Sequence, residues 1–403
     1  MSRRIVALLM APALLAAGIN LAHAIPDVPP QSALSQTSVE KIVVAAKRGG
    51  VKKTATRKTP SLVIVSKAPN DAPDFDYQAR IAEAQALAAR QPVLKDDIQI
   101  DGQGKLSHFV WVLVVGQKTG PLTVVRMDET GKNTQGFTIT WPVDNFINTR
   151  FRVTKPEGFI VFAQRRPVRV KGKYQEAVYT SYSPALDTKT MRAAGMDYLR
   201  HLQRLAYNRI QAHDVRSRVA PKITVADRIP ASMVVRLMIA EHIDPLRMKY
   251  VGIEQCIHEV LITIAANRSH AYAHAKSSAG ARGLPQFIES SYHMVRANYP
   301  TALLEPDFER GMRDLRNAVL ASVLLLDLEL THLPRHYLER ITDSSREFAA
   351  FLAAGYNRNP ARVVQTYRRT RTFTGGNAPF ENKMYVRIQS WIGLFLKKEY
   401  GIA

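Results

Sequence analysis

Cysteine is almost missing from this chain of 403 residues: Cys256 stands alone. That excludes an intramolecular disulfide framework and a thiolate metal cluster. Set among apolar neighbours, Cys256 reads as a small core side chain rather than a nucleophile. Acidic residues are scarce as well, 34 against 56 Lys and Arg, which leaves a formal net charge of +22. After the N-terminal segment no apolar run is long enough to cross a bilayer, so membrane contact is expected to be at most peripheral. The histidines form neither His-Glu-x-x-His nor another ligand set, so neither a metal nor a cofactor is expected.

The N-terminus reads as an export signal. Arg3 and Arg4 precede an apolar stretch from Ile5 to about Leu21, and Ala22-His23-Ala24 forms a small-x-small cleavage site. Residues 1–24 are therefore expected to be removed and the mature protein to reside in the periplasm. Export also changes what the positive charge means. Nucleic acid is not the expected partner; the polyanions outside the cytoplasm are the peptide carboxylates of the cell wall and the phosphate-bearing membrane surface. Part of the charge lies between Lys41 and Lys58, inside a Pro-, Ser-, Lys- and Ala-rich stretch over 25–74 without sustained period. That stretch reads as a disordered basic linker.

The fold class expected is α+β. A helix is predicted from about Tyr77 to Arg90. A strand-rich accessory domain over 75–185 follows from the aromatic and β-branched runs Phe109–Val115, Leu122–Met127, Phe137–Trp141, Phe159–Ala163 and Ala177–Tyr182, about five strands of an antiparallel sheet or barrel. It carries no catalytic motif, and the default role for it is contact with the wall or an envelope protein. A helical connector is expected over 186–228, and from 229 to 403 the pattern is helical nearly throughout.

Within that last block, Pro230 suits a helix start and Pro245 forces a stop near Asp244. Between them Val234, Leu237, Met238 and Glu241 fall at i, i+3, i+4 and i+7, on one face. A carboxyl at the C-terminal end of an apolar stripe is partly desolvated and near the negative helix pole, and both effects raise its pKa. A carboxylic acid kept protonated near neutrality is the proton donor that glycosidic cleavage needs. The periodicity alone fits equally well a domain-edge glutamate that reaches water or an arginine. Glu259, mid-helix beside the stripe Ile253, Cys256, Ile257, Val260 and Ile264, and Glu289 are weaker candidates.

Downstream, Ser278–Phe287 is dense in small residues, which permit close backbone approach, and Gln286 offers both donor and acceptor. Ala279-Gly-Ala-Arg-Gly-Leu-Pro-Gln-Phe-Ile288 resembles the GA-x-GLMQ signature of the soluble lytic transglycosylase superfamily, whose domain is lysozyme-like and all-α. Arg313-Asp-Leu-Arg-Asn317 resembles its Asp…Asn helix start. Ala353-Ala-Gly-Tyr-Asn-Arg-Asn-Pro-Ala-Arg-Val363 is similar to its AAYNAGPGRV motif, and Glu381-Asn-Lys-Met-Tyr-Val386 to ET-x-x-YV. The four signatures occur in order between about Pro230 and Trp391. One departure stands out: in common members the catalytic glutamate lies about fifteen residues before the glycine motif, and ungapped counting lands on Arg268, which cannot donate a proton. Either the domain is a degenerate peptidoglycan binder, or the glutamate lies upstream of an inserted helix. Ile239-Ala-Glu-His-Ile-Asp-Pro245 resembles the end of the family's first helix, with Glu241 at the glutamate position and Gly252–Asn267 as the insertion. The resemblance then implies cleavage of the MurNAc–GlcNAc bond of peptidoglycan glycan strands to 1,6-anhydro ends, with no cofactor. It implies Glu241 as acid and then base, Tyr356 bonding or lining it, Gln286 and Asn357 on sugar groups, and Tyr385 in support.

Overall fold

In the computed structural model of the chain the described residues are 75–402, apart from 95, 134, 144–147, 342–345 and 377. The expected export signal and most of the expected basic linker fall outside them. The described residues belong to one compact unit with a strand-rich region followed by helices, so the class is mixed α+β.

The first helix, α1 (Tyr77–Arg90), is capped by Asp76, whose carboxylate accepts the Ala79 N–H at 3.0 Å. Its apolar stripe, Ile81, Ala84 and Ala88, is buried against one face of a sheet. That sheet is antiparallel, ordered β1 (Ile98–Ile100), β2 (Leu106–Gly116), β6 (Ile160–Val170), β7 (Lys173–Tyr179), with β3 (Leu122–Asp128) also paired to β2. Residues alternate along β2: Val114 joins the α1 side, while Trp111, Leu113 and Val115 face a second core. The second core is closed by a separate ribbon, β4 (Thr138–Val143) with β5 (Arg150–Lys155), through Ile139 and Phe151.

β6 runs well past the expected Phe159–Ala163 because its arginines are buried with partners. Arg165 donates to the carbonyls of Ala88, Gln91 and Pro92 at the end of α1 and faces Glu176, and the Arg166 guanidinium lies 4.7 Å from the Phe109 ring centre.

The helices then run α2 (Lys189–Ala212), α3 (Val225–Arg228), α4 (Ala231–Ala240), α5 (Pro245–Asn267), α6 (Glu289–Asn298), α7 (Phe308–Arg313), α8 (Leu315–Leu330), α9 (Arg335–Arg340), α10 (Arg346–Asn357), α11 (Pro360–Thr370) and α12 (Phe380–Tyr400). The segment expected as a connector is more than that: Met196, Leu199, Leu202, Ala206 and Ile210 of α2 share one core with α4, α8, α10 and α12. Gly195 explains how close α2 comes to α5, since a Cβ there would sit 2.0 Å from the Leu261 carbonyl oxygen. Asn267 ties the end of α5 to the strand region. Its Oδ1 accepts the Thr180 N–H and its Nδ2 donates to the Thr180 carbonyl, each at 2.8 Å. Among the described residues no helix is long and apolar enough to cross a membrane.

Candidate functional site

Pro230 caps α4 and Asp244 caps α5, the latter accepting the Leu246 N–H at 2.8 Å, so the chain turns sharply at the intervening Glu241–Ile243. Glu241 is the C-cap of α4, its N–H bonded to Leu237 O at 3.1 Å. Glu241 keeps part of its surface open, yet the protein packed around its carboxyl desolvates it and raises its pKa from 4.5 to about 8. One hydrogen bond opposes that rise: the Tyr385 hydroxyl donates to Oε1 at 2.5 Å. Tyr385, buried in α12, is itself oriented by Gln389, whose Nε2 donates to the phenol oxygen at 3.2 Å. No arginine or lysine contributes to the Glu241 shift.

The glycine-rich turn lies against the same helix end. His242 is half-buried, its ring stacked on Tyr272 with centres 3.5 Å apart, and desolvation lowers its pKa to about 3, so the ring is neutral. Its Nε2 lies 2.8 Å from the Leu284 carbonyl oxygen. A carbonyl only accepts, so Nε2 carries the proton. From the other side the Tyr356 hydroxyl donates to Pro285 O at 2.6 Å. The turn also closes on itself, with Gln286 N and Nε2 both donating to Gly283 O at 3.2 and 2.8 Å. Gly283 has φ +72° and faces the α7 backbone so closely that a Cβ would stand 2.6 Å from Met312 O. Only glycine satisfies both conditions.

Asn357 ends α10 beside Tyr356, and its Nδ2 donates to Asn382 Oδ1 at 3.3 Å. Asn382 precedes Tyr385 by one turn on α12. The five residues singled out from the sequence are thus linked across three helices and one turn, though not with every contact expected. Tyr385 rather than Tyr356 holds the Glu241 carboxyl. Tyr356 is spent on the turn, although it lies near enough for the charges of both Glu241 and Glu329 to raise its hydroxyl pKa, after burial. Gln286 is folded onto its own turn and leaves only its amide oxygen uncommitted.

Other acidic candidates are placed elsewhere. Glu259 is buried between Arg247 and Arg150, which donate to its oxygens at 2.5–2.9 Å and 2.7 Å. Burial favours its neutral form, but these hydrogen bonds outweigh burial and hold its pKa below the usual value. Glu289 is exposed, 3.7 Å from His293. Arg268 is exposed and donates to Gln78 of α1 at 2.6 Å.

Three participants were not singled out from the sequence for these contacts. Asn382 and Gln389 stand at i−3 and i+4 from Tyr385, helical spacing that marks its face. Glu329, buried near the end of α8, has Oε2 without a hydrogen bond, and desolvation raises its pKa well above 4.5. It packs on Gly355, where a Cβ would come within 2.9 Å of that oxygen. The visible signal was a pair of acids, Asp327 and Glu329, inside the leucine run of 324–330.

No known protein-family model, no curated protein and no solved structure matches the chain.

Proposed function

We propose that this protein is an exported lytic transglycosylase with a lysozyme-like helical domain, cleaving the MurNAc–GlcNAc bond of peptidoglycan. The observation that carries the reading is Glu241: a partly exposed residue whose carboxyl, desolvated by the protein around it, has a pKa near 8, accepts from one phenol and has no cation acting on it. Such a group is protonated at neutral pH and able to give its proton away. The second support is the glycine turn, pinned by His242 and Tyr356, the neighbours in sequence of Glu241 and Asn357, while Asn357 is held by Asn382, one helical turn from the Tyr385 that bonds Glu241.

In this mechanism Glu241 donates its proton to the glycosidic oxygen as the C1–O bond breaks. The substrate's own acetamido group stabilises the developing positive charge at C1. The carboxylate then removes the proton from the muramoyl C6 hydroxyl, whose oxygen bonds to C1 and closes the 1,6-anhydro ring. Glu241 ends protonated, and no water enters. One carboxyl serves both steps, unlike the usual two-carboxylate glycosidase. The Tyr385 hydrogen bond favours the intermediate stage at which Glu241 is ionised.

The test is to incubate the purified protein with sacculi and weigh the soluble products by mass spectrometry. Anhydro-muropeptides are expected, and none from Glu241→Gln with the fold retained by circular dichroism. Reducing-end products would establish hydrolysis instead. Binding to sacculi without release of any fragment would reduce the protein to a wall-recognising fold.

A further inference from the structure

The strand-rich region reaches the glycine turn through one hairpin, β6–β7, and does so twice. The two strands are joined by Lys171-Gly172 alone, with Val170 paired to Lys173 and both loop residues at positive φ, +48° and +79°. That is the type I′ geometry, which favours glycine or asparagine; here a lysine fills the first place. Its N–H donates to Glu309 Oε2 at 3.2 Å, and its Nζ lies 2.6 Å from Oδ2 of Asp307, the cap of α7. The other carboxylate oxygen of Glu309, Oε1, accepts from the Arg282 guanidinium at 2.5 Å. Arg282 is the base of the glycine turn. It exchanges backbone hydrogen bonds with Phe287 at 2.9 and 3.0 Å, and so closes the loop that carries Gln286.

The second route starts at the far end of the hairpin, at Tyr179, the last residue of β7. Its buried hydroxyl accepts the Tyr272 N–H at 3.4 Å. Tyr272 stands at φ +58°, a conformation that an L side chain keeps only where its surroundings hold it. Its ring is the one stacked on His242, whose Nε2 donates to Leu284 O inside the turn. Thr180, next along the chain, is fixed on Asn267 of α5. The hairpin therefore bears on one turn from two sides, its tip on the base and its root on the middle. The Arg282 and Glu309 side chains are 24% and 25% exposed. A pair this exposed adds little to stability, so its consequence is where the turn sits rather than whether the fold holds.

We infer that the β6–β7 hairpin positions the glycine turn for the glycan strand, with Glu309 and Tyr179 as positioning residues. The strand-rich region then belongs to the substrate-binding half of the site and is not a detached accessory module. The effect on substrate rests on the glycan-cleaving reading of Glu241; the clamp on the turn does not. Among the described residues the one hydrogen bond at the Glu241 carboxyl comes from Tyr385, so the hairpin does not act on the acid. It acts through Gln286, the turn residue whose amide oxygen is left for a ligand.

The full-length parent, Glu309→Ala, Tyr179→Phe and the double variant are compared on solubilised glycan strands. Each single change raises KM about fivefold and lowers kcat by less than about threefold, because a looser turn holds the sugar less well and leaves the acid as it was. The alkaline limb of kcat/KM, near pH 8, stays in place. Glu309→Asp, which keeps the charge, recovers part of the loss. A change that merely lost folded protein would lower kcat at constant KM. That result, a displaced limb, or an unchanged KM in the double variant overturns the positioning role. Hydrogen exchange supplies a readout that needs no catalysis. The Gly283 and Phe287 amides, bonded in the parent to Ala275 O and Arg282 O, exchange about tenfold faster in the double variant, while those of α8 keep their parent rates. Parent rates throughout the turn would show that there is no clamp. A faster-exchanging turn in the variant of a parent that cleaves nothing leaves the clamp standing and sinks the transglycosylase reading alone.

Discussion

At the end of α4 one glutamate meets a single hydroxyl; in the middle of α5 another meets two guanidinium groups. Both Glu241 and Glu259 lose much of their hydration, and desolvation is the largest influence on each. The outcomes are opposite. Around Glu241 nothing positive offsets the loss, so the proton stays on. Around Glu259 the arginines more than compensate, so the proton leaves. Burial by itself therefore does not make a catalytic acid; burial without a cation does. The two regions also differ in what they join. Arg150 comes from β5 and Arg247 from the first turns of α5, before the break at Gly252 (φ +82°), so Glu259 fastens the strand ribbon to both halves of a bent helix. Glu241 is joined only to Tyr385 of α12, by a single hydrogen bond.

Exchanging the carboxyl for an amide at each position breaks the comparison most directly, with the largest effect expected at Glu241. Glu241→Gln lowers kcat on sacculi about a thousandfold, the range lost with a general acid–base group. The same change stabilises the fold. A native pKa near 8 against 4.5 means that folding becomes less favourable as pH rises between those values, because the native state retains a proton that the unfolded state has lost. The variant therefore gains about 2 kcal/mol at pH 7 over the parent, and the gain disappears below pH 4.5. Equal melting temperatures at neutral pH would show that Glu241 is an ordinary hydrated carboxylate.

Glu259→Gln is expected to do the reverse. Removing the acid leaves two arginines facing each other, but their side chains are 21% and 32% exposed and partly rehydrate. The loss is about 2 kcal/mol, below the usual figure for a fully buried pair. Its sign with pH is also reversed: a depressed native pKa contributes stability above the ordinary carboxylate value of 4.5 and loses it as pH falls through the native pKa. The parent and variant melting curves should converge in acid, while kcat stays within about twofold of the parent. A thousandfold loss of rate from this variant would move the catalytic acid to α5.

How much of this was legible in the sequence depended on whether the cause was local. Helix α1 was read to its ends because its caps and stripe are contiguous. The turn at Glu241 was legible because Pro230 and Asp244-Pro245 punctuate it, yet the same Asp-Pro pair also begins α5, with Asp as cap and Pro in the first turn. Taking it only as a stop delayed the expected helix to Gly252, which is in fact an interruption inside it. The second half of β6 was missed because buried arginines look like solvent-facing ones until the α1 carbonyls and the aromatic rings that hold them are seen. The same holds for Arg150: its partnership with Glu259 spans 109 positions, and no spacing rule announces it. The grouping of Gln286, Tyr356, Asn357 and Tyr385 was suggested by ordered motifs, but which tyrosine would take the carboxyl was a matter of packing.

That choice of tyrosine supports the finest test of the contrast. Tyr385→Phe removes the one hydrogen bond that favours ionised Glu241, moving the site further from the Glu259 condition. Because the reaction begins with a protonated acid, kcat/KM falls as pH rises through the Glu241 pKa, near 8 in the parent. In the variant that falling limb moves to higher pH, by under about one unit for the loss of a single charge-assisted bond. The rate on the plateau drops only about tenfold, since the stage helped by the bond is the ionised one. A limb that moves instead to lower pH would mean that Tyr385 accepts from a protonated Glu241 rather than donating to it. The phenol would then hold the acid in its neutral form, the part the parent structure gives to burial.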